Sequence, residues 1–309
     1  MVDKQTILIK ANTELFCYKG RQIETDRKDN KRKDNVLPIY SGSGVHYLLD
    51  HLLVQEGDVA LDLCTGSGIL GIYVAEKASK VIATDISPRA LKFAKRNAER
   101  NKIKNIEFGL GDLFEPVKGE QFDYIITNPP FVPIPVSVES ALHSNGGEDG
   151  LYFVRKILEK AETYLKPNGR IQIYSLSLGD EKTTLLEELL RKNLRKNRVT
   201  ITNMYLNSLP LEEFVKDFKK YAGVEGWYQK MKSEGLTHLH SFIVNIEPSA
   251  SLTILKKTIP EIERTLYSDN WENWKGRFSY WVLGRSNFCE ADYMSQRDSA
   301  RGLPFVFVS

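Results

Sequence analysis

Long apolar runs, cysteines and charge of one sign are what this chain of 309 residues has least of. It contains no run of about 18 apolar residues, which excludes a helix built to cross a bilayer. The opening residues MVDKQTILIK lack a basic flank followed by an apolar core, so no secretory leader is expected and a soluble cytoplasmic protein is. Cys17, Cys64 and Cys289 are odd in number and far apart, which argues against a disulfide framework and against a metal site. The net charge is only +3, and basic residues alternate with acidic ones, as in Asp26 to Asp34. That run reads as a solvated connector, and charge alone predicts no strong affinity for nucleic acid.

What is present is the composition of a globular α/β protein, 41% hydrophobic and 27% charged. The length fits one α/β domain of roughly 200 residues with about 100 residues of additions. The expected division is an N-terminal strand pair and charged connector over 1–43, a ligand-binding domain over 44–250 with a helical insert near 210–234, and a C-terminal extension over 251–309.

Strand and helix signals alternate through the middle of the chain. Residues 14–25 read as a strand pair, and 43–53 carries apolar residues at helical spacing. VALDL (59–63) is a buried strand running through Cys64-Thr65-Gly66-Ser67-Gly68 into the helical stretch ILGIYVAEKA. KVIATDI (80–86) is a second strand, and Ser87-Pro88 supplies a helix N-cap and a first-turn proline. Strands follow at 106–112, 122–130, 170–178, 198–206 and 238–246, with helices at 149–165, closed by Lys166 to Gly169, and at 181–196. FSYWVLG (278–284) is an alternative last strand. The pattern predicts a Rossmann-like, seven-stranded, mostly parallel sheet covered on both faces. Such sheets bind ligands at the carboxyl ends of their strands, where the strand order reverses.

The chemistry-bearing residues fall at those ends. Gly66-x-Gly68-x-x-Gly71 lets the backbone approach a ligand and points N–H groups outward at a helix start. Alone it also fits a nicotinamide dinucleotide or an empty tight turn. Asp85, followed by Ile86, ends the second strand, where a carboxylate can take two ribose hydroxyls. Asp112 and Leu113 end the third, suited to an adenine amino group. Asp62 would repel a pyrophosphate and attract an ammonium group, which favours S-adenosylmethionine (SAM) over a dinucleotide.

Asn128-Pro129-Pro130-Phe131 ends the fourth strand. Prolines have no N–H and a fixed φ, so the Asn128 side-chain carbonyl and the Pro129 carbonyl are free to orient an NH₂ group. Phe131 can stack on a planar acceptor or lie near a sulfonium.

DLCTGSGILG, ATDIS, GLGDLFE and NPPF together resemble the successive motifs of class I SAM-dependent methyltransferases, in the branch with an Asn-Pro-Pro-aromatic tetrad. Glu139 to Leu142 and GGEDGLYFVRKILEKAETYLKPNGR (146–170) are similar to protein glutamine amide methyltransferases of the release-factor type, over about residues 36–180. The resemblance implies that Asp62, Cys64, Thr65, Gly66, Gly68, Asp85, Ile86, Asp112, Leu113 and Asn128 bind SAM, and that Asn128 to Phe131 hold the amide that is methylated. Cys64 stands where that family has glycine, and Phe131 where it has tyrosine.

The reading is therefore an N-methyltransferase without a metal, acting on an amide or amino nitrogen of a protein side chain or small molecule. Its alternatives are a nucleobase amine in RNA or DNA as acceptor, an NAD(P)-dependent oxidoreductase, and a non-catalytic scaffold. No membrane partner is expected. His143 is a candidate substrate contact, whereas His238 and His240 lack a carboxylate or cysteine partner for a metal. The aromatics Tyr267, Trp271, Trp274, Phe278, Tyr280 and Trp281 read as the core of the C-terminal extension.

Overall fold

The computed structural model describes residues 6–9, 12–27, 30, 32–36, 43–205, 207–216, 219–259 and 305–307. The aromatic run from Tyr267 to Trp281, the alternative strand 278–284 and Cys289 lie outside the described residues.

Two sheets form. The smaller has the order β13-β1-β2-β3, with β1 Thr6–Ile9, β2 Thr13–Tyr18, β3 Arg21–Asp26 and β13 Phe305–Phe307. β2 and β3 are the expected strand pair, turning through Lys19 (φ 41°) and Gly20 (φ 76°). Two positive φ values are what a two-residue hairpin turn needs to match strand twist.

The larger sheet is built on β4 Val59–Leu63, β5 Lys80–Asp85, β6 Ile106–Leu110, β7 Phe122–Thr127, β8 Leu165–Gly179, β9 Asn197–Asn203 and β11 His238–Pro248. These are the seven expected strands. Two more join them: β10 Leu209–Pro210 on β11, and β12 Thr253–Thr258 parallel to β9 at the edge. The order β12-β9-β11-β8-β7-β4-β5-β6 runs parallel from β8 to β6 and antiparallel on both sides of β11. The strand order reverses between β4 and β7, and the Gly-rich turn and the Asn-Pro-Pro-Phe corner follow those two strands. β4 is near-continuously apolar because it is paired on both edges and covered on both faces.

The helices are α1 Ser43–Asp50, α2 Ile69–Val74, α3 Pro88–Arg100, α4 Tyr152–Tyr164, α5 Leu185–Asn193, α6 Leu211–Val215 and α7 Val224–Ser233. α3 shows why the local sequence folds as it does. The Ser87 side chain accepts the Ala90 N–H, Pro88 occupies the first turn, and Leu91, Ala94 and Ala98 are buried on one face. α6 and α7 fill the expected insert, and Trp227 and Met231 pack with Phe214 in a separate apolar cluster.

Three local expectations need correction. Lys166 to Gly169 do not form a turn closing a helix; they lie within β8, at a register shift where the pairing steps from Phe122–Leu165 to Tyr124–Arg170. A bulge accommodates Pro167, which has no N–H for the ladder. The helix placed at 181–196 is confined to α5, because the Asp180 carboxylate accepts N–H groups of Lys182 and Thr183 and Thr184 caps the helix behind that turn. The run from Asp26 to Asp34 is not wholly solvated, since Asp26 is 0% exposed and pairs with Arg89; just beyond its end, Asn35 and Val36 are buried.

Candidate active site

Asp62 lies beneath the Gly-rich turn with 0% exposure. Its Oδ2 accepts the Thr65 hydroxyl at 2.5 Å and the Gly71 N–H at 2.8 Å. A Cβ on Gly71 would come within 3.0 Å of that oxygen, so glycine is what lets α2 start so close. Oδ1 of Asp62 is buried and has no partner among the described residues. Burial pushes its carboxyl up to about 7, against the pull of the Thr65 and Gly71 bonds.

The turn itself is strained where the resembling family has glycine: Cys64 adopts φ 59°. Gly68 (φ 84°) approaches Ala94 of α3 so closely that a Cβ would lie 3.0 Å from its Cα. Asn97 of α3, fully buried, donates from Nδ2 to the carbonyls of Ser67 (2.8 Å) and Glu24 (2.9 Å) and accepts the Glu24 N–H (2.8 Å). One side chain thus ties the turn to β3 of the smaller sheet.

A cavity of about 390 Å³ opens above these strand ends. Cys64, Thr65, Gly66, Asp85, Ile86, Asp112 and Leu113 line it, and so do Asn128, Pro130 and Phe131. Asp62, Gly68 and Pro129 are not among its lining residues; the first two support the turn from behind. Asp85 takes the Gly66 N–H on Oδ2 and the Ser87 N–H on Oδ1, both at 2.9 Å, while burial raises its carboxyl above the ordinary range. Ile86 is 53% exposed, an apolar platform beside that acid. Asp112 lies 3.9 Å from the Lys156 ammonium, and Leu113 adopts φ 47°.

At the other end Asn128 Oδ1 is buried without a partner among the described residues. Phe131 stands edge-on to Tyr174, with ring centroids 4.9 Å apart. The corner is braced from behind: Val132 N–H donates to Ser144 O (2.8 Å) and Gly146 N–H to Val132 O (2.9 Å). His143 lines the cavity; its Nε2 is buried without a partner among the described residues, and burial pushes the imidazole down to about 4, so it is neutral near pH 7. His238 and His240 lie elsewhere, bonded to Thr237 Oγ1 and to Asp180 O.

The cavity also has walls that motif reading misses. Val45, Lys156 and Tyr174 line it, as do Asp34, Asn35 and Val36 from the connector. Lys156 and Tyr174 sit in otherwise ordinary amphipathic segments, and nothing in the connector's composition marks Asn35.

Comparison with known proteins places these features in context. The methyltransferase small domain model matches residues 41–205, more than half of the chain. The release factor glutamine methyltransferase of Thermodesulfovibrio yellowstonii is 40% identical over 131 residues, 39% of this chain and 47% of that protein. The putative protein N5-glutamine methyltransferase of Methanocaldococcus jannaschii is 38% identical over 143 residues, 45% of this chain and 72% of that protein. The ribosomal protein uL3 glutamine methyltransferase of Bradyrhizobium diazoefficiens is 41% identical over 133 residues, 40% of this chain and 41% of that protein. The match thus spans about half the length of the release-factor relative. Since the Gly-rich turn, the strand-end acids and the Asn-Pro-Pro-Phe corner all fall inside the matched stretch, the chain belongs to the methyltransferase small domain family.

Proposed function

We propose that the chain methylates the side-chain amide nitrogen of a glutamine in a protein, with SAM as methyl donor. The observation that carries this reading is Asn128 Oδ1, a buried acceptor with no partner among the described residues, at a corner where two successive prolines supply no N–H. A buried carbonyl oxygen left unpaired costs about 1–3 kcal/mol, and an NH₂ group removes that cost. One of its hydrogens goes to Asn128 Oδ1 and the other to the Pro129 carbonyl.

The residues fit the donor as well. Asp62 Oδ1, a buried carboxylate oxygen without a partner among the described residues, suits the ammonium of a methionine moiety, and Asp85, Ile86, Asp112 and Leu113 suit a nucleoside. SAM, when bound, supplies a methyl carbon made electrophilic by its sulfonium sulfur and open to in-line displacement. The chain contributes placement and water exclusion: Asn128 and Pro129 fix the plane of the acceptor nitrogen, Phe131 and Tyr174 wall it off, and neutral His143 offers a further hydrogen-bond acceptor. Because the relatives are glutamine methyltransferases of a release factor and of ribosomal protein uL3, those two proteins are the first acceptors to try.

Tritiated SAM incubated with purified release factor, with uL3 and with total RNA tests the reading. The expected label is on a glutamine, located by peptide mass spectrometry. Asn128→Ala should lower turnover by about 10²-fold or more while SAM affinity, by calorimetry, holds within about twofold. Label confined to RNA would move the acceptor to a nucleobase, and heat with NAD but none with SAM would end the donor assignment.

A further inference from the structure

Asn35 lies upstream of residues 41–205, the stretch the family model matches, yet it lines the same cavity as Asp85 and Asn128. Its side chain is tucked in, at 8% exposure. Half of the amide is used: Nδ2 donates to the Asn30 carbonyl at 3.1 Å. The other half is not, since Oδ1 is buried with no partner among the described residues. Such groups are rare in folded proteins, and a ligand is one of the few things that satisfies them.

The segment around it is fastened at both ends. Asp26, at the end of β3, accepts the Val36 N–H at 2.8 Å and pairs with Arg89 of α3. Val36 packs against Ala90 and Phe93 in the first turns of α3, the helix that follows Asp85. On the far side the Leu142 N–H donates to the Lys33 carbonyl at 2.8 Å, and the Lys33 ammonium pairs with Glu139. Residues 32–36 therefore run as a strap from the start of α3 to the loop behind the Asn-Pro-Pro-Phe corner.

We propose that Asn35 is a cofactor-binding residue whose Oδ1 accepts a hydrogen bond from a hydroxyl or amino group on the nucleoside half of SAM. This rests on the SAM reading above and adds to it a contact from outside the family domain. The nucleoside half is assigned because the strap joins the fold beside Asp85, among the apolar side chains of Val36, Ala90 and Phe93. The ammonium of the methionine half has its own carboxylate in Asp62.

Calorimetry with SAM and with 5′-methylthioadenosine, which keeps the nucleoside and lacks the amino acid, tests the assignment. Asn35→Ala should bind both about three- to tenfold more weakly, the effect of one hydrogen bond. Asn35→Asp keeps the oxygen and loses the bond to Asn30, and should retain most of the affinity. Unchanged binding by Asn35→Ala, a loss with SAM alone, or an equal loss in Asn35→Asp would each overturn the proposal. Should the variants fail to fold, hydrogen exchange of residues 32–36 in the wild-type protein decides: 5′-methylthioadenosine slows it if Asn35 binds the nucleoside, and no change refutes the contact. A wild-type protein that gives heat with neither ligand would remove the SAM reading itself, and this inference with it.

Discussion

Gly66 donates its main-chain N–H to the carboxylate of Asp85 at 2.9 Å, so the turn after β4 is held by the acid that ends β5. The same carboxylate also takes the Ser87 N–H at 2.9 Å. Each of its oxygens has a second lone pair, and those are what a ribose would use. Asp85→Ala should therefore do two things at once. The ligand-free protein should lose about 1–3 kcal/mol in thermal or urea unfolding, because two partly buried N–H groups lose their acceptor. SAM affinity by calorimetry should fall by about tenfold or more. A variant with normal stability and weakened binding would assign Asp85 to the ligand alone.

Asp62 predicts a pH dependence of binding and stability. Its carboxyl is held near 7 by burial, well above the ordinary carboxylate value of about 4. A folded pKa above the unfolded one means that the folded state carries the extra proton between about 4 and 7. Stability from this group is then fully present below about pH 4 and is lost as pH rises through about 7. The groups that face it are Asp85 and Cys64, the latter a thiol held uncharged by burial, together with the Thr65 hydroxyl. Between pH 5 and 8 the wild-type protein should lose stability relative to Asp62→Asn. An ammonium ligand prefers the ionised carboxylate, so SAM affinity should rise with pH up to about 7 and binding near pH 6 should release a proton. Binding heats measured in buffers of different ionisation enthalpy give that proton count, and a count of zero at pH 6 would sink the ammonium assignment.

How much of this is legible in the residues depends on whether the determinant is local. The seven core strands and the Ser87-Pro88 start of α3 follow from hydrophobic runs and capping chemistry, which act within a few residues. The strand-end acids and Asn128 could be located because strand ends follow from the same runs. Long-range pairing is another matter. β12 looks like an exposed, Lys-bearing segment, and only its register with Arg198 to Asn203 makes it a strand. Asp26 reads as one charge in a mixed run, and its burial depends on Arg89, 63 positions away. Asn35 is hidden for the same reason, since its place in the cavity comes from contacts with α3 and with Leu142.

Gly146 should separate acceptor placement from donor binding. A Cβ on it would fall 2.6 Å from the carbonyl carbon of Phe131 and 2.7 Å from its Cα, both backbone atoms that cannot swing aside. Gly146→Ala should push the Asn-Pro-Pro-Phe corner out of place while leaving the Gly-rich turn and its acids untouched. Turnover on the protein acceptor should drop by about 10²-fold, and SAM affinity should stay within about twofold of wild type. Equal losses in both would mean that the two ends of the cavity move together, and the separation drawn between them would fail.

Arg170 and Asp58 set a stability prediction away from the chemistry. Arg170, 7% exposed, donates from Nη2 to Asp58 Oδ2 at 2.6 Å, tying β8 to the turn before β4. That oxygen also accepts the Gln55 N–H at 2.7 Å, so the carboxylate has two donors and little water. Removing the cation strands a buried negative charge, and the cost of an unpaired ion exceeds what the pair itself contributes. Arg170→Met should therefore lower the unfolding free energy by about 3–5 kcal/mol. Adding Asp58→Asn to that variant should restore part of the loss, because the amide carries no charge and keeps an acceptor for Gln55. Urea unfolding of the two single variants and the double variant measures the coupling. If Arg170→Met costs less than about 1 kcal/mol, as exposed pairs do, the Asp58 carboxylate is better hydrated than its 8% exposure implies.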